Sequence, residues 1–185
     1  FWWSPNPRLI LEPSDLHVSR RLKRIIRQGR FHVTLDRAFK EVIKDCSETR
    51  MKRGEGTWIT PEMIEAYTEL HYLGKTHSVE TWQGYRLVGG LYGIAMGRVF
   101  FGESMFSYQT DASKVAFAHA VALLIDWGYE LIDCQIASEH LARFGASDID
   151  RKTFIGHLKI KTNKHAAKRA WRPNSEFVNN VDIEI

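Results

Sequence analysis

Arg86-Leu87-Val88-Gly89-Gly90-Leu91-Tyr92-Gly93-Ile94-Ala95-Met96, a Gly97-Arg98 turn, and then Val99-Phe100-Phe101-Gly102-Glu103-Ser104-Met105-Phe106 decide the fold of this chain. Both runs are rich in β-branched and aromatic residues, and the two-residue joint between them predicts an antiparallel hairpin. Upstream, residues 78–82 extend it through Gln83-Gly84 into a three-stranded meander. Downstream, residues 112–127 form an apolar helical run closed by Gly128, followed by a strand over 131–136. A short helix over 139–144 and a basic helical segment from Arg151 complete the pattern. Two strand segments carry polar groups out of keeping with their surroundings: Glu103 in one, Asp133 and Gln135 in the other. An unsatisfied polar group in such a setting costs about 1–3 kcal/mol, so each must be either partnered or used.

The order strand pair, long helix, strand, helix is that of the second half of the acetyltransferase-type fold. The expected class is therefore α/β (α+β), a GNAT-like mixed sheet with a smaller N-terminal α/β part. In that smaller part, residues 1–16 contain Pro5, Pro7 and Pro13 and read as extended or turning chain. Residues 19–28 read as a helix with Leu22, Ile25 and Ile26 inward, and 31–34 as a strand. Asp36 is expected to cap a helix reaching about Cys46, with a polar loop over 47–57. Thr60-Pro61 opens a further helix that buries Met63, Ile64, Tyr67 and Leu70 and stops at Gly74. A boundary near residue 76 divides the chain into 1–76 and 77–185.

At 185 residues, 44% hydrophobic and 26% charged, the composition is that of an ordinary globular protein. No apolar run approaches the roughly 18–20 residues that span a bilayer, and the first residues lack a signal-peptide pattern. Cys46 and Cys134 are isolated, and the eight histidines show no metal-ligand spacing, so neither a disulfide nor a metal is expected. The net charge of +4 is unevenly spread. Residues 17–30 hold Arg20, Arg21, Lys23, Arg24, Arg27 and Arg30 without an acid, and residues 157–172 hold six more cations without an acid. Those stretches carry 12 of the 26 basic residues, leaving 14 against 22 acids elsewhere. Either run alone is as compatible with a solvated helix face as with a nucleic-acid contact. Two in an otherwise acidic chain favour a polyanionic partner.

Four motifs in order, Trp2-Trp3-Ser4-Pro5, Gly56-Thr57-Trp58-Ile59-Thr60, Gly102-Glu103-Ser104-Met105-Phe106-Ser107 and Asp133-Cys134-Gln135, resemble those of the leucyl/phenylalanyl-tRNA–protein transferases. The resemblance covers most of the chain. It implies transfer of Leu or Phe, with Met a further candidate, from aminoacyl-tRNA to proteins beginning with Arg or Lys, which marks them for degradation. It also implies a cytoplasmic monomer without a membrane partner or a cofactor. Family members begin with a further segment that includes a Pro-Trp-Phe element, so this sequence reads as an N-terminally shortened member.

By resemblance, Asp133 and Gln135 activate the acceptor amine and Glu103 orients the substrate amino group. Strand alternation puts Asp133 and Gln135 on one side. Read by itself, Asp133 is as readily a helix cap or the partner of a buried base. Leu91, Phe100, Phe117 and Ile132 correspond to the family's side-chain pocket, although periodicity alone makes them core. Trp58 and Tyr67 resemble aromatics that stack on the 3′-terminal adenosine, and Arg20, Lys23, Arg24 and Arg27 resemble the cluster on the acceptor stem. Residues 107–114 contain no glycine, and Asp111 lies where the acetyltransferase fold holds the coenzyme A pyrophosphate. An acyl-CoA enzyme is thereby disfavoured. The residues are also compatible with a peptidoglycan-type aminoacyltransferase or with a non-catalytic RNA-binding protein.

Overall fold

The computed structural model describes residues 4–54, 56–167 and 170–171. Trp2, Trp3, Lys168, Arg169 and Arg172 lie outside them, so the two tryptophans of the first motif and half of the C-terminal basic run have no structural account. Seven strands form one sheet: β1 (Arg8–Leu11), β2 (His32–Leu35), β3 (Thr76–Gln83), β4 (Arg86–Met96), β5 (Val99–Ser107), β6 (Leu131–Gln135) and β7 (Ser147–Ile149). Their order across it is β2-β3-β4-β5-β6-β1-β7. The helices are α1 (Arg20–Arg27), α2 (Phe39–Lys52), α3 (Pro61–Tyr72), α4 (Ala112–Asp126), α5 (Glu139–Ala142) and α6 (Arg151–Lys161).

The meander β3-β4-β5 is antiparallel, turning at Gly84 and Gly97, both with positive φ. β5 then pairs with β6 in parallel, a pairing that needs a crossover connection, here supplied by α4. Alternation along β4 assigns the faces. Leu91 enters a core with α4, Leu22 and Ile25 of α1, Phe100 and Ile132. Its neighbour Tyr92 enters a second core on the opposite face with Phe39, Val42, Ile43 and Cys46 of α2. On that same face, Phe154 of α6 covers Ile10, Val99 and Leu131. Ten of the fifteen residues of α4 are buried, which is why it reads as apolar on every side.

Several local expectations are revised. The run Leu9-Ile10-Leu11 is a buried strand at the heart of the sheet, although three prolines around it suggest irregular chain. Asp36 is not a helix cap: it sits at φ 55°, accepting from the Ser78 amide and bonded to His77 Nδ1. α2 begins instead beneath Glu80, a fully buried carboxylate that accepts from the Ala38 and Arg37 amides and from Thr34 and Ser78. The helix continues six residues past Cys46, through most of the segment read as loop. Thr60 does cap α3, accepting from the Met63 amide, but Met63, Ile64, Tyr67 and Leu70 are only partly buried. The division near residue 76 falls at the start of β3, and β1 and β2 from before it lie in the same sheet as the strands after it.

Candidate active site

The parallel ladder between β5 and β6 ends at Phe101↔Asp133. Beyond this rung β5 carries a bulge. Tyr92 faces Ser104 and Gly93 faces Gly102, leaving Glu103 as the additional residue. On β6 the alternation breaks at Gln135, whose φ is 70°. The expected same-side arrangement of Asp133 and Gln135 therefore does not follow from strand pleat. The two converge nevertheless, because the Gln135 amide donates to Asp133 Oδ1 at 3.0 Å. The Gln135 side chain turns across the gap and donates from Nε2 to the Gly102 carbonyl at 2.9 Å, in place of the next ladder rung.

Glu103 and Gln135 meet in this gap, where the carboxamide and the Tyr67 hydroxyl are the polar donors nearest in effect to the Glu103 carboxylate. Burial pushes Glu103 upward from the ordinary carboxylate range, and these two donors oppose that shift. The same contact, with burial as the larger cause, raises the Tyr67 hydroxyl. The Gln135 carboxamide donates to the Gly102 carbonyl, and its Oε1 remains as an acceptor. Asp133, 1% exposed, is held by Arg8 through Nε at 2.8 Å and a terminal nitrogen at 2.6 Å. This bidentate pair realises the buried-base partner that the residues alone allowed. The Arg8 guanidinium also lies 5.1 Å over the Phe154 ring. Arg8 escaped sequence reading because its strand was hidden among prolines; the three apolar residues after it were the available signal.

Trp58 and Tyr67 stand next to each other, ring centroids 6.0 Å apart and tilted by 58°, with Trp58 40% exposed. Tyr67 packs edge-on against Tyr92 and so joins the aromatic pair to Glu103. Leu91, Phe100, Phe117 and Ile132 are also brought together, in the core on the α4 side. Ile132 and Asp133 are consecutive on β6 and face opposite ways, so the apolar set and the carboxylates lie on opposite faces of the sheet at the end of the same ladder.

Arg20, Lys23, Arg24 and Arg27 lie along α1, opposite its buried Leu22 and Ile25. Among the described residues none of the four forms an ion pair, whereas Arg21 binds Asp111 at 2.9 Å. Asp111 is also paired with Lys114 at 2.6 Å and sits at φ 69° where α4 begins. The start of α4 is thus occupied by the chain's own anion, and residues 107–114 do not fit the pyrophosphate of coenzyme A. In the C-terminal basic run, Lys161 and Lys164 converge with Arg98 on Glu130, whose carboxyl is held below its ordinary value, Lys164 contributing most. That part of the run holds α6 to the β4–β5 turn.

Asp36, His71 and His77 bring potential metal-ligand atoms within 4.8 Å of one another, a proximity that no sequence spacing shows. Both imidazoles already engage through Nδ1, His77 with Asp36 and His71 with the Thr76 carbonyl, each at 2.8 Å. The set clamps the turn after β2. No helix among the described residues is long and apolar enough to cross a membrane.

The family model described as leucyl/phenylalanyl-tRNA protein transferase matches residues 10–159. The chain belongs to the leucyl/phenylalanyl-tRNA–protein transferase family. A family member from Anaeromyxobacter sp. (strain Fw109-5) is 52% identical over 170 residues, covering 92% of this chain and 72% of its own. One from Syntrophobacter fumaroxidans is 54% identical over 174 residues, covering 94% and 74%. Among solved structures, the sheet resembles a glucosamine N-acetyltransferase region of a fungal multi-domain β-N-acetylglucosaminidase. The TM-score is 0.54 at 12% identity, over 78% of this chain and 20% of that one. At that identity the likeness concerns the fold, which is the acetyltransferase-like mixed sheet expected for this family.

Proposed function

We infer that this protein transfers leucine or phenylalanine, with methionine as a further donor side chain, from aminoacyl-tRNA to the N-terminal amine of proteins beginning with Arg or Lys. The modification marks those proteins for degradation, and the enzyme acts as a cytoplasmic monomer. The observation that carries this reading is the convergence of Glu103, Gln135 and Asp133 at the open end of the β5–β6 ladder, with Trp58 and Tyr67 beside them.

The reaction needs little chemical assistance because the aminoacyl ester is already activated. The acceptor amine attacks the ester carbonyl, a C–N bond forms, the C–O bond to the ribose breaks, and the amine proton leaves for the ribose oxygen. Positioning supplies most of the acceleration, and a proton-accepting group adds about 10²–10⁴-fold. Gln135 Oε1 receives a hydrogen bond from the incoming amine, and Glu103 holds the α-amino group of the donor. Asp133, fixed by Arg8, positions Gln135 through its backbone amide. The terminal adenosine stacks on Trp58 and Tyr67, and the donor side chain reaches through the gap towards Leu91, Phe100, Phe117 and Ile132. An apolar cavity of this kind discriminates by only about 1–3 kcal/mol per methylene, in keeping with more than one accepted donor. Arg20, Lys23, Arg24 and Arg27 grip acceptor-stem phosphates. Residues 1–76 supply the acceptor-end contacts and 77–185 the transfer chemistry.

The test is direct: charged Leu-tRNA and a peptide beginning with Arg should give a peptide longer by one leucine, read by mass spectrometry. No product while the charged tRNA stays intact would sink the assignment.

A further inference from the structure

A cavity of about 340 Å³, remote from the Glu103 cluster, opens at the β2 edge of the sheet and is lined by His32, Arg37, Trp82, Gly84 and Tyr85. Its walls are fixed from beneath. The Trp82 indole donates to Thr34 Oγ1 at 2.8 Å, and Thr34 in turn donates to buried Glu80. That carboxylate also receives the amides at the start of α2, so the strand, the tryptophan and the Arg37 segment are tied to one anchor. Arg37 lies 5.5 Å over the Trp82 ring, and Tyr85 projects fully exposed from the β3–β4 hairpin. Arg86, exposed, pairs with Gln83 across that hairpin. Among the described residues, no acid lines the cavity.

Two aromatic rings, a guanidinium on one of them and positive charge around the mouth suit a planar, electron-rich group attached to an anion. They disfavour a peptide whose first residue is cationic. The opening also faces usefully. Val33 and Val79 enter the core on the α4 side, so Thr34, Glu80 and the Trp82 bonded to Thr34 face the other way, towards α2, α3 and Glu103. Ser78 pairs with Tyr92 beside the β5 bulge, and Trp82 is four residues farther along β3. Strand spacing and rise then put the cavity about 15–20 Å from Glu103, a distance that a few nucleotides of extended single strand can cover.

We propose that this cavity binds an unstacked nucleobase of the donor tRNA, a few nucleotides back from the terminal adenosine, between Trp82 and Tyr85, with Arg37 on the adjoining phosphate. This site rests on the functional reading above, because it requires the terminal adenosine to be at Trp58 and Tyr67. It gives the RNA a second fixed point on the reaction face of the sheet, separate from the phosphate contacts of α1.

Equilibrium binding of uncharged tRNA across a salt series tests it with Tyr85→Ala and Arg37→Gln, both exposed and outside the core. Loss of one stacked base should weaken binding about 5- to 100-fold in Tyr85→Ala. Arg37→Gln should reduce the slope of log Kd against log salt by about one. Leucine transfer from an aminoacyl-adenosine, which is too short to reach the cavity, should be unchanged in both. Wild-type tRNA affinity in both variants overturns the proposal, as does a defect confined to KM for the acceptor peptide. If wild-type protein transfers leucine from neither donor, the functional reading fails, and the binding comparison still decides the cavity.

Discussion

Glu103, partly buried, and Asp133, fully buried, are carboxylates at one end of a β-ladder, but their surroundings give them different behaviour. Asp133 is closed off by a bidentate arginine and a backbone amide. Glu103 has only neutral donors, Tyr67 and Gln135, and burial raises it. A carboxylate that must be ionised to hold an ammonium group then sets an acid limb above the ordinary glutamate range. Tyr67 lowers Glu103, so Tyr67→Phe should move that limb of kcat/KM to higher pH, while Glu103→Gln should abolish it and reduce transfer. An acid limb that does not move in Tyr67→Phe would exclude Glu103 as its source. At Asp133, Arg8→Met should leave a buried charge unpaired, at a cost of about 3–5 kcal/mol. For a chain of this size that lowers Tm by about 6–20 °C. Adding Asp133→Leu should restore most of the stability without restoring transfer, as read by thermal melts and by leucine incorporation.

At the scale of elements, the β5 bulge does what a regular strand cannot. It turns Glu103 and Ser104 towards the α2–α3 face in succession, Glu103 beside Tyr67 and Ser104 opposite Tyr92. Gly93 makes room for it. A Cβ there would lie 2.2 Å from the Phe101 carbonyl oxygen and 2.6 Å from the Phe100 ring. Gly93→Ala should therefore cost about 1–3 kcal/mol in strain and lower transfer by displacing Glu103. Gly156→Ala in α6, with open space around the added carbon, serves as the control and should be neutral or slightly stabilising. A Gly93→Ala protein with wild-type Tm and activity would show that the bulge tolerates displacement. Elements with local signals were legible: Ser19 and Thr60 cap α1 and α3 through their hydroxyls, and Gly84 and Gly97 turn the meander. The start of α2 was not, because its capping carboxylate, Glu80, comes from a strand 42 residues beyond Ala38.

For the whole molecule, the relevant quantity is how charge is deployed around a neutralised centre. The C-terminal run is partly structural: Lys161 and Lys164 are spent on Glu130. The outer face of α1 keeps Arg20, Arg24 and Arg27 exposed. If these grip phosphates, tRNA affinity should fall linearly in a plot of log K against log salt, and each Arg→Gln change on α1 should reduce the slope by about one. Lys164→Gln should instead lower Tm and leave that slope unchanged. Fluorescence titrations at several salt concentrations separate the two, and an unchanged slope in the α1 variants would reduce that helix to a solvated face.

Hydrophobic period, turn residues and caps are local properties, so the chain by itself determined strands β2 to β6, its helices and, through their order, the class of sheet, whereas β1 and β7 were not legible. It also marked Glu103, Asp133 and Gln135, since polar groups in apolar strands stand out without coordinates. Only the tertiary structure decided what those groups face. Arg8 reaches Asp133 across 125 residues, Tyr67 reaches Glu103 from a separate helix, and His71 meets Asp36 around a turn. Such pairings depend on strand order and on bulges that shift register. Long-range packing sets both, and no window of sequence contains it.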